Sequence, residues 1–467
     1  MISIQLITLR LFPVFDKARG YKYGIKNELI IIRLTQSRRT KRRRRMSLHE
    51  AAEGLLGTHV TWKDVEQDMQ QALNTTATFG DNKKVTNISD MKGFMSRIAL
   101  VEPDWINNDS EKELPKKFIV KISSQLPFIE MVKLMMMDDD EFWSEEKING
   151  MAQVTRMLHN REVAVYKILM REKHPAIPFT KIYQLKSFDD ENTLKAYIIS
   201  EYIDNTTHIG MHQSISADDL IPVIKGVAAF TAIGERLPEE ELEFTKGGDF
   251  LDIVFGQFLD DKTQARSEAL LSSAFPAEYK DKLDKMFEIN RKYYTNKDML
   301  KPLKSVPEFF GYKPVLVHSD LWSSNLLCSK KGDGFHLEAI IDYQTTSIST
   351  PAQDVGRLFV ACLSTKDRRE RVDDLLKVYY DTFVEELSGL PVAYTFQQLK
   401  DSYNVYYPVM TLMVLPGIAP MLEHSQIPEE QKAALKEAAL DKMVGMMEDV
   451  ITTHEDNIKK FPDFYKF

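Results

Sequence analysis

The spacing of apolar residues divides the chain into an early part that mixes helix and strand and a later part that is mostly helical. From Thr61 to Leu73, Trp62, Val65, Met69 and Leu73 fall three or four apart, which predicts an amphipathic helix. Phe94 to Val101 (FMSRIALV) and Phe118 to Ile122 (FIVKI) are short runs of β-formers and read as strands, with Pro103 and Pro115 punctuating their connection. An acidic stretch, residues 138 to 150 (DDDEFWSEEKING), feeds a long helix to about Arg171, with Val163, Tyr166, Ile168 and Leu169 on its apolar side. That helix must stop before His174-Pro175 and Ile177-Pro178, because proline drives the preceding residue out of helical backbone. Strands over Lys181 to Phe188 and Leu194 to Ile203 complete a small α+β lobe, expected as five strands around one helix. From about Ser216 the pattern is mostly helical, interrupted by a strand-and-loop island from Pro314 to Tyr343. There is no internal repeat and no long low-complexity tract.

Composition narrows the class. A chain of 467 residues that is 43% hydrophobic buries one large bilobal core or two to three domains, so wholesale disorder is excluded. Cys328 and Cys362 cannot build a disulfide framework or a four-ligand zinc site, which fits a reducing compartment. The longest apolar stretch, Val409 to Leu422, is too short to span a bilayer and is broken by Pro416 and Pro420. The N-terminal MISIQLITLRLFPVF lacks a basic lead and a small-residue cleavage site, so it reads as no signal peptide. The expected setting is soluble and cytoplasmic. The net charge of −8 hides a split: residues 1 to 45 carry thirteen Lys/Arg against Asp16 and Glu28, a head of +11, and residues 46 to 467 sum to −19. Met46 opens ordinary globular composition and reads as an alternative start; an expressed head would act as a nuclear-localisation-type basic run.

The island carries the chemistry. It reads PVLVHSDLWSSNLLCSKKGDGFHLEAIIDYQ. A buried strand, Val315 to Val317, delivers His318-Ser319-Asp320, and Asn325 follows after four more residues. Past a Gly-rich turn, a second apolar strand, Ala339 to Ile341, ends in Asp342. Phosphoryl transfer needs a carboxylate that takes the acceptor hydroxyl's proton and hard oxygen ligands for a Mg²⁺ that bridges phosphates. Asp320 is the candidate base, and Asn325 and Asp342 are the candidate metal ligands. His-x-Asp-x4-Asn alone arises by chance in roughly one chain in fifty of this length, so the two flanking apolar strands are what give it weight.

VHSDLWSSNLL followed by IIDYQ resembles the choline-kinase-like (CHK kinase-like) and ecdysteroid-kinase-like small-molecule phosphotransferases, relatives of the aminoglycoside phosphotransferases. Lys92 to Trp105 (KGFMSRIALVEPDW), Leu114 to Ile122 (LPKKFIVKI), His159 to Leu169 (HNREVAVYKIL) and Trp322 look most like a nematode branch of that group. The resemblance covers about residues 55 to 455 and leaves out the basic head. It implies a protein-kinase-like two-lobe α+β fold, with a small β-rich N-lobe and leading helix over 46–204. A larger helical C-lobe would follow over 205–467, with the catalytic loop at 314–344. It implies ATP and Mg²⁺ as cofactors. Lys121 would contact the α/β-phosphates and Glu162 would pair with it. Ser89 to Phe94, with the single glycine Gly93, would cover the phosphates through backbone amides. Ser200-Glu201-Tyr202 would be the hinge whose backbone reads adenine, and His318 would prop the loop that carries Asp320.

One position departs from the group. Most relatives have Gly where this chain has Ser319, so a serine must reach the backbone conformation that glycine favours. After Asp342 the chain reads Tyr343-Gln344, as in the CHK-like group; Gln344 is expected to support the loop and Asp354 to anchor the following helix, or to sit at its N-terminus on the dipole's account.

Other classes fit less well. A protein kinase would carry lysine two residues after Asp320, where Trp322 stands, and an Ala-Pro-Glu segment, which is absent. A catalytically weak or inactive kinase-like nucleotide-binding protein is the alternative, favoured by the glycine-poor loop. A dehydrogenase lacks its Gly-x-Gly-x-x-Gly fingerprint, and the one Tyr-x-x-x-Lys, Tyr293 to Lys297, lies at a polar helix end. Nucleic acid has only the basic head to bind, without interleaved aromatics. The expected partner is a small-molecule alcohol, with no membrane. The acidic body suits a cationic alcohol such as choline, and Tyr406 and Tyr407 either line a cation-π site or sit in helix core.

Overall fold

The fold is described from a computed structural model over residues 47–89, 95–107, 113–134, 145–248, 261–295, 297–332, 334–423, 427 and 429–466. The basic head lies outside these residues. Helix α1 (Trp62–Leu73) forms where the apolar spacing predicts it. Thr61 starts it with a capping box: its hydroxyl accepts from the Asp64 amide, and the Asp64 carboxylate accepts from the Thr61 amide.

Helix α1 packs on a five-stranded sheet made of β1 (Lys84–Asn87), β2 (Ser96–Glu102), β3 (Phe118–Ser123), β4 (Ile182–Lys186) and β5 (Tyr197–Glu201). Their spatial order is β1-β2-β3-β5-β4, and every neighbouring pair is antiparallel. Register places Ala99 opposite Val120 and Val120 opposite Ile199. Alternation then decides what faces where. Phe118, Val120 and Ile122 join Val65, Met69, Tyr197 and Ile199 in the core under α1. Lys121 is thereby turned to the opposite face of the sheet, where α3 lies.

The predicted strand positions hold for β2 to β5. The fifth strand, β1, carries an almost wholly exposed, polar edge and left no alternation to read. A short helix, α2 (Leu126–Leu134), follows β3, and α3 (Glu145–Glu172) ends before His174-Pro175 as expected. Both lie on the chain between β3 and β4.

The second part is built on α4 (Ala217–Arg236), a helix buried over most of its length. Two glycines let it approach its neighbours: a Cβ on Gly226 would come within 2.6 Å of the Ala176 carbonyl oxygen, and one on Gly234 within 2.4 Å of Leu316 Cβ. Strand β6 (Val315–Val317), together with β7 (Leu326–Lys331), β8 (Gly334–Ile340) and β9 (Ser347–Ser349), forms the predicted island. β7 pairs with β8, and β6 with β9, so the loop after β6 and the turn after β8 lie close together. Helices α5 (Ala352–Cys362), α6 (Thr365–Glu386), α7 (Phe396–Glu423) and α8 (Glu429–Lys460) complete a single large core with α4. This is the two-lobe, protein-kinase-like α+β architecture: a β-rich lobe and a larger helical one.

One expectation fails in α7. Pro416 and Pro420, with Pro408, lie inside a continuous 28-residue helix instead of breaking it. Each interior proline costs about 3 kcal/mol, and burial of Val409, Met410, Val414, Leu415 and Ile418 offsets this. By length and composition α7 could cross a membrane, yet 78% of its apolar window is buried inside the protein. The cation-π alternative for Tyr406 and Tyr407 gives way as well. Both rings are buried, the Tyr406 hydroxyl donates to the Leu303 carbonyl, and Arg368 already lies 5.9 Å from the Tyr407 ring centre.

Candidate active site

Two clusters meet where the sheet faces the island. The first centres on Lys121. Its Nζ donates to Glu162 Oε2 at 2.6 Å and to Asp342 Oδ1 at 2.7 Å, joining β3, α3 and the turn after β8. Both carboxylates are buried, Glu162 on the face of α3 turned to the sheet. Burial works against the lysine's charge, but Asp342 and Glu162 hold its pKa above the ordinary lysine value. One cation serves two anions here, and Glu162 is the carboxyl left the weaker acid. Burial pushes its carboxyl up to about 7, Lys121 opposing and the Asp342 charge adding. Asp342 resists the same burial because Lys121 outweighs it, and stays below the usual carboxylate range.

Asp342 has φ +68°, a left-handed conformation, followed directly by Tyr343. The Tyr343 ring sits 5.7 Å from Tyr166, 5.4 Å from Phe230 and 4.7 Å from His318, between α3, α4 and the His318 loop. An aromatic at this position therefore ties the Asp342 turn to the helix that carries Glu162. Gln344 Nε2 donates to Asp342 Oδ2 at 3.4 Å, a long contact in the direction expected for a supporting residue.

The second cluster is the loop from His318 to Asn325. The Asp354 carboxylate, in the first turn of α5, accepts the amides of His318 at 2.8 Å and Ser319 at 2.7 Å. It thus anchors the loop as well as standing at a helix N-terminus, and burial raises its pKa. His318 Nε2 bonds the Ile341 carbonyl at 3.0 Å, which makes that nitrogen the protonated one and leaves Nδ1 to accept the Asp320 amide at 3.3 Å. The imidazole braces two backbone segments and presents nothing to solvent. Asn325 Nδ2 donates to the Asp320 carbonyl at 2.7 Å and to Asp320 Oδ2 at 3.3 Å, and the Asn325 carbonyl accepts the Ile341 amide at 3.0 Å. The loop and the Asp342 turn are one hydrogen-bonded unit.

Ser319 does adopt the glycine-like conformation, φ +70°, and two bonds retain it there: its amide to Asp354 and its hydroxyl to Ser347 Oγ at 2.8 Å. Ser319→Gly should therefore stay within about 1 kcal/mol of the wild type, relief of the backbone offsetting the lost hydroxyl bond. Ser319→Val should lose about 1–3 kcal/mol, because a β-branched residue is poorly housed at that φ. Urea unfolding of the two variants checks both values.

His159, one turn before Glu162 on α3, reports on the same packing. Its Nε2 donates to the Lys186 carbonyl at 2.9 Å, and burial, with the Lys121 charge adding, pulls its pKa down to about 4. The unfolded imidazole takes its proton near pH ~6.5, so between there and pH 4 the unfolded chain binds more protons and stability falls with pH. The expected loss at pH 5 is on the order of 2 kcal/mol. His159→Gln, which keeps a donor for Lys186, should flatten the fall in urea midpoint between pH 7 and pH 5.

The remaining expected site residues are less central. Gly93 and most of the Ser89 to Phe94 loop lie outside the described residues. Glu201 ends β5 with its amide given to the Lys181 carbonyl at 2.9 Å and its side chain accepting the Lys181 amide at 2.6 Å. Any amide that reads adenine must come from later in that segment. Two buried arginines beside these clusters were not singled out by sequence. Arg161, beside Glu162, reaches the carbonyls of Phe244, Thr245, Lys246 and Gly248. Arg357, one turn after Asp354, reaches Asp320 Oδ1 at 3.0 Å. The available signal was a pair of charges, Asp354 and Arg357, three apart in the helix AQDVGRLFVAC, whose other residues are apolar apart from Gln353.

A family model described as "Uncharacterized oxidoreductase dhs-27" matches residues 48–458. The chain belongs to the dhs-27 family. One similar protein is the Caenorhabditis elegans "Uncharacterized oxidoreductase dhs-27", 23% identical over 296 residues, which are 62% of this chain and 33% of that protein. Another is the C. elegans "Uncharacterized kinase-like protein D1044.1", 22% identical over 259 residues, 55% of this chain and 64% of that protein. The chain thus spans about a third of one relative and just under two thirds of the other. Among solved structures it is similar to Plasmodium vivax ethanolamine kinase, at 14% identity and TM-score 0.36, covering 78% of this chain and 82% of that one. It is also similar to a microcompartment-associated aminopropanol kinase, at 13% identity and TM-score 0.38, covering 85% and 98%. The dhs-27 family match and the kinase-like relative fit the CHK kinase-like resemblance. Every strand pairing among the described residues is antiparallel, unlike the parallel sheet on which dinucleotide-binding oxidoreductases are built.

Proposed function

We propose that the protein is an ATP- and Mg²⁺-dependent phosphotransferase that moves a γ-phosphate to a hydroxyl of a small molecule. The observation that carries this reading is the meeting of two sets on adjoining backbone: Lys121, Glu162 and Asp342 on one side, His318, Asp320 and Asn325 on the other. The residues suit a divalent ion. Asn325 Oδ1 is buried with no hydrogen-bond partner among the described residues, and the Asp342 carboxylate stands on the turn that Asn325 holds. Asn325 and Asp342 would hold Mg²⁺, which needs only one or two protein oxygens beside phosphates and water. When bound, the ion supplies neutralisation of phosphate charge.

In this reading Lys121 binds the α/β-phosphates, with Glu162 keeping its ammonium directed at them. Asp320 orients the acceptor hydroxyl and accepts its proton at a carboxylate oxygen. Asn325 fixes that carboxylate through Nδ2, and His318 keeps the loop in register with the Asp342 turn. The acceptor is a small alcohol, and the −19 body favours one that carries positive charge. A mass-spectrometric screen for phosphate transfer from Mg-ATP to choline, ethanolamine, steroids and glycosylated xenobiotics tests the reading, a phosphorylated product being the expected result. Binding of Mg-ATP with no transfer to any acceptor would favour the non-catalytic nucleotide-binding alternative.

A further inference from the structure

Helix α5 does more than anchor the loop. All of its residues are buried, and its two charged side chains, Asp354 and Arg357, lie three apart on one face. Asp354 takes the amides of His318 and Ser319, and Arg357 Nη2 lies 3.0 Å from Oδ1 of the next residue, Asp320. One helix therefore sets three consecutive residues of the loop. The Asp320 and Arg357 side chains are 0% and 1% exposed, so the ion pair is closed off from water and its geometry is fixed by the packing around it. The guanidinium carbon lies 6.0 Å from the Trp322 ring centre, so the indole two residues after Asp320 walls the arginine in. The two Asp320 oxygens are then distinct: Oδ1 faces Arg357, while Oδ2 has the weaker contact to Asn325 at 3.3 Å.

We infer that Arg357 is a positioning residue for the phosphotransferase: it holds the Asp320 carboxylate in one rotamer, Oδ1 toward the guanidinium, so that Oδ2 is the oxygen turned to the acceptor's proton. This rests on the phosphotransferase reading. Arg357 pairs with Asp320, whereas Lys121 pairs with Glu162 and Asp342, so the effect belongs in kcat and leaves nucleotide binding alone.

The test uses the full chain and steady-state release of phosphate from γ-labelled Mg-ATP, with water standing in for the acceptor hydroxyl. Arg357→Met should lower kcat about 100-fold with KM for Mg-ATP within about threefold. Arg357→Lys should recover at least about tenfold of that loss, because it restores a buried cation. Guanidinium chloride at low millimolar concentration should raise the kcat of Arg357→Ala and leave that of Arg357→Lys unchanged. Circular dichroism melts establish that the variants are folded at the assay temperature. A folded Arg357→Met variant with wild-type kcat overturns the inference. So does a loss shared equally by kcat and Mg-ATP affinity that neither lysine nor guanidinium restores, since that is the mark of a merely structural arginine. A wild-type chain that releases no phosphate to water and transfers none to any alcohol of the panel defeats the phosphotransferase reading itself and takes this inference with it.

Discussion

Asp320→Asn should lower phosphate transfer about a thousandfold or more while Mg-ATP binding stays within about threefold. The amide keeps the size of the carboxylate but cannot accept the hydroxyl proton, and Lys121 and the Asp342 turn, which the proposed function assigns to the nucleotide, are left in place. The change has a second consequence, because Arg357 then loses its anion in a fully buried position. Removing one partner of a buried ion pair costs about 3–5 kcal/mol, so the variant should also melt earlier. The two effects separate in a double variant. Asp320→Asn with Arg357→Met removes both charges and should regain most of the lost stability without regaining turnover. Recovery of turnover in the double variant would show that Asp320 serves only the packing.

Lys121→Met should produce the largest loss of stability in the cluster of Lys121, Glu162 and Asp342. Glu162 and Asp342 would face each other inside the protein with no cation between them, at a cost of about 3–5 kcal/mol at pH 7.5. The pH dependence identifies the cause. With the lysine gone both buried carboxyls gain affinity for a proton above that of the unfolded chain, so the folded state binds more protons and stability rises as pH falls. The urea midpoint of Lys121→Met should therefore move toward the wild-type value between pH 7.5 and pH 5.5. Mg-ATP affinity should fall about 100-fold at either pH, because the phosphates lose a charge-assisted donor. A deficit in midpoint that is the same at both pH values would mean that methionine fails by shape and that the charge cluster is not the source.

Most of the centre was readable because its residues belong to local patterns. His318, Asp320 and Asn325 lie within one loop bounded by an apolar strand, and Asp342 ends another, so their meeting follows from the pairing of short strands. Lys121 interrupts the apolar run FIVKI, and strand alternation turns an interruption of that kind to the face away from the core. What escaped the sequence depends on contacts between distant segments. Strand β1 is polar and exposed at an edge, so it has no hydrophobic signature. The prolines of α7 read as helix breakers because nothing local reveals the core that surrounds them. Tyr406 and Tyr407 looked equally suited to a ligand or to a core, and only the packing against Arg368 and the Leu303 carbonyl decides it. Arg357 sits 37 residues after Asp320 in number and one ion pair away in space.

The central claim is that this chain transfers phosphate, and labelled Mg-ATP tests it most directly. Purified full-length protein is incubated with γ-labelled Mg-ATP and the panel of small alcohols, with Asp320→Asn as the paired control, and the label is followed by mass spectrometry. The expected result is label in a phosphoester of at least one alcohol with the wild type and none above background with the variant. Label that stays on ATP with every acceptor, or that moves equally well with Asp320→Asn, would contradict it.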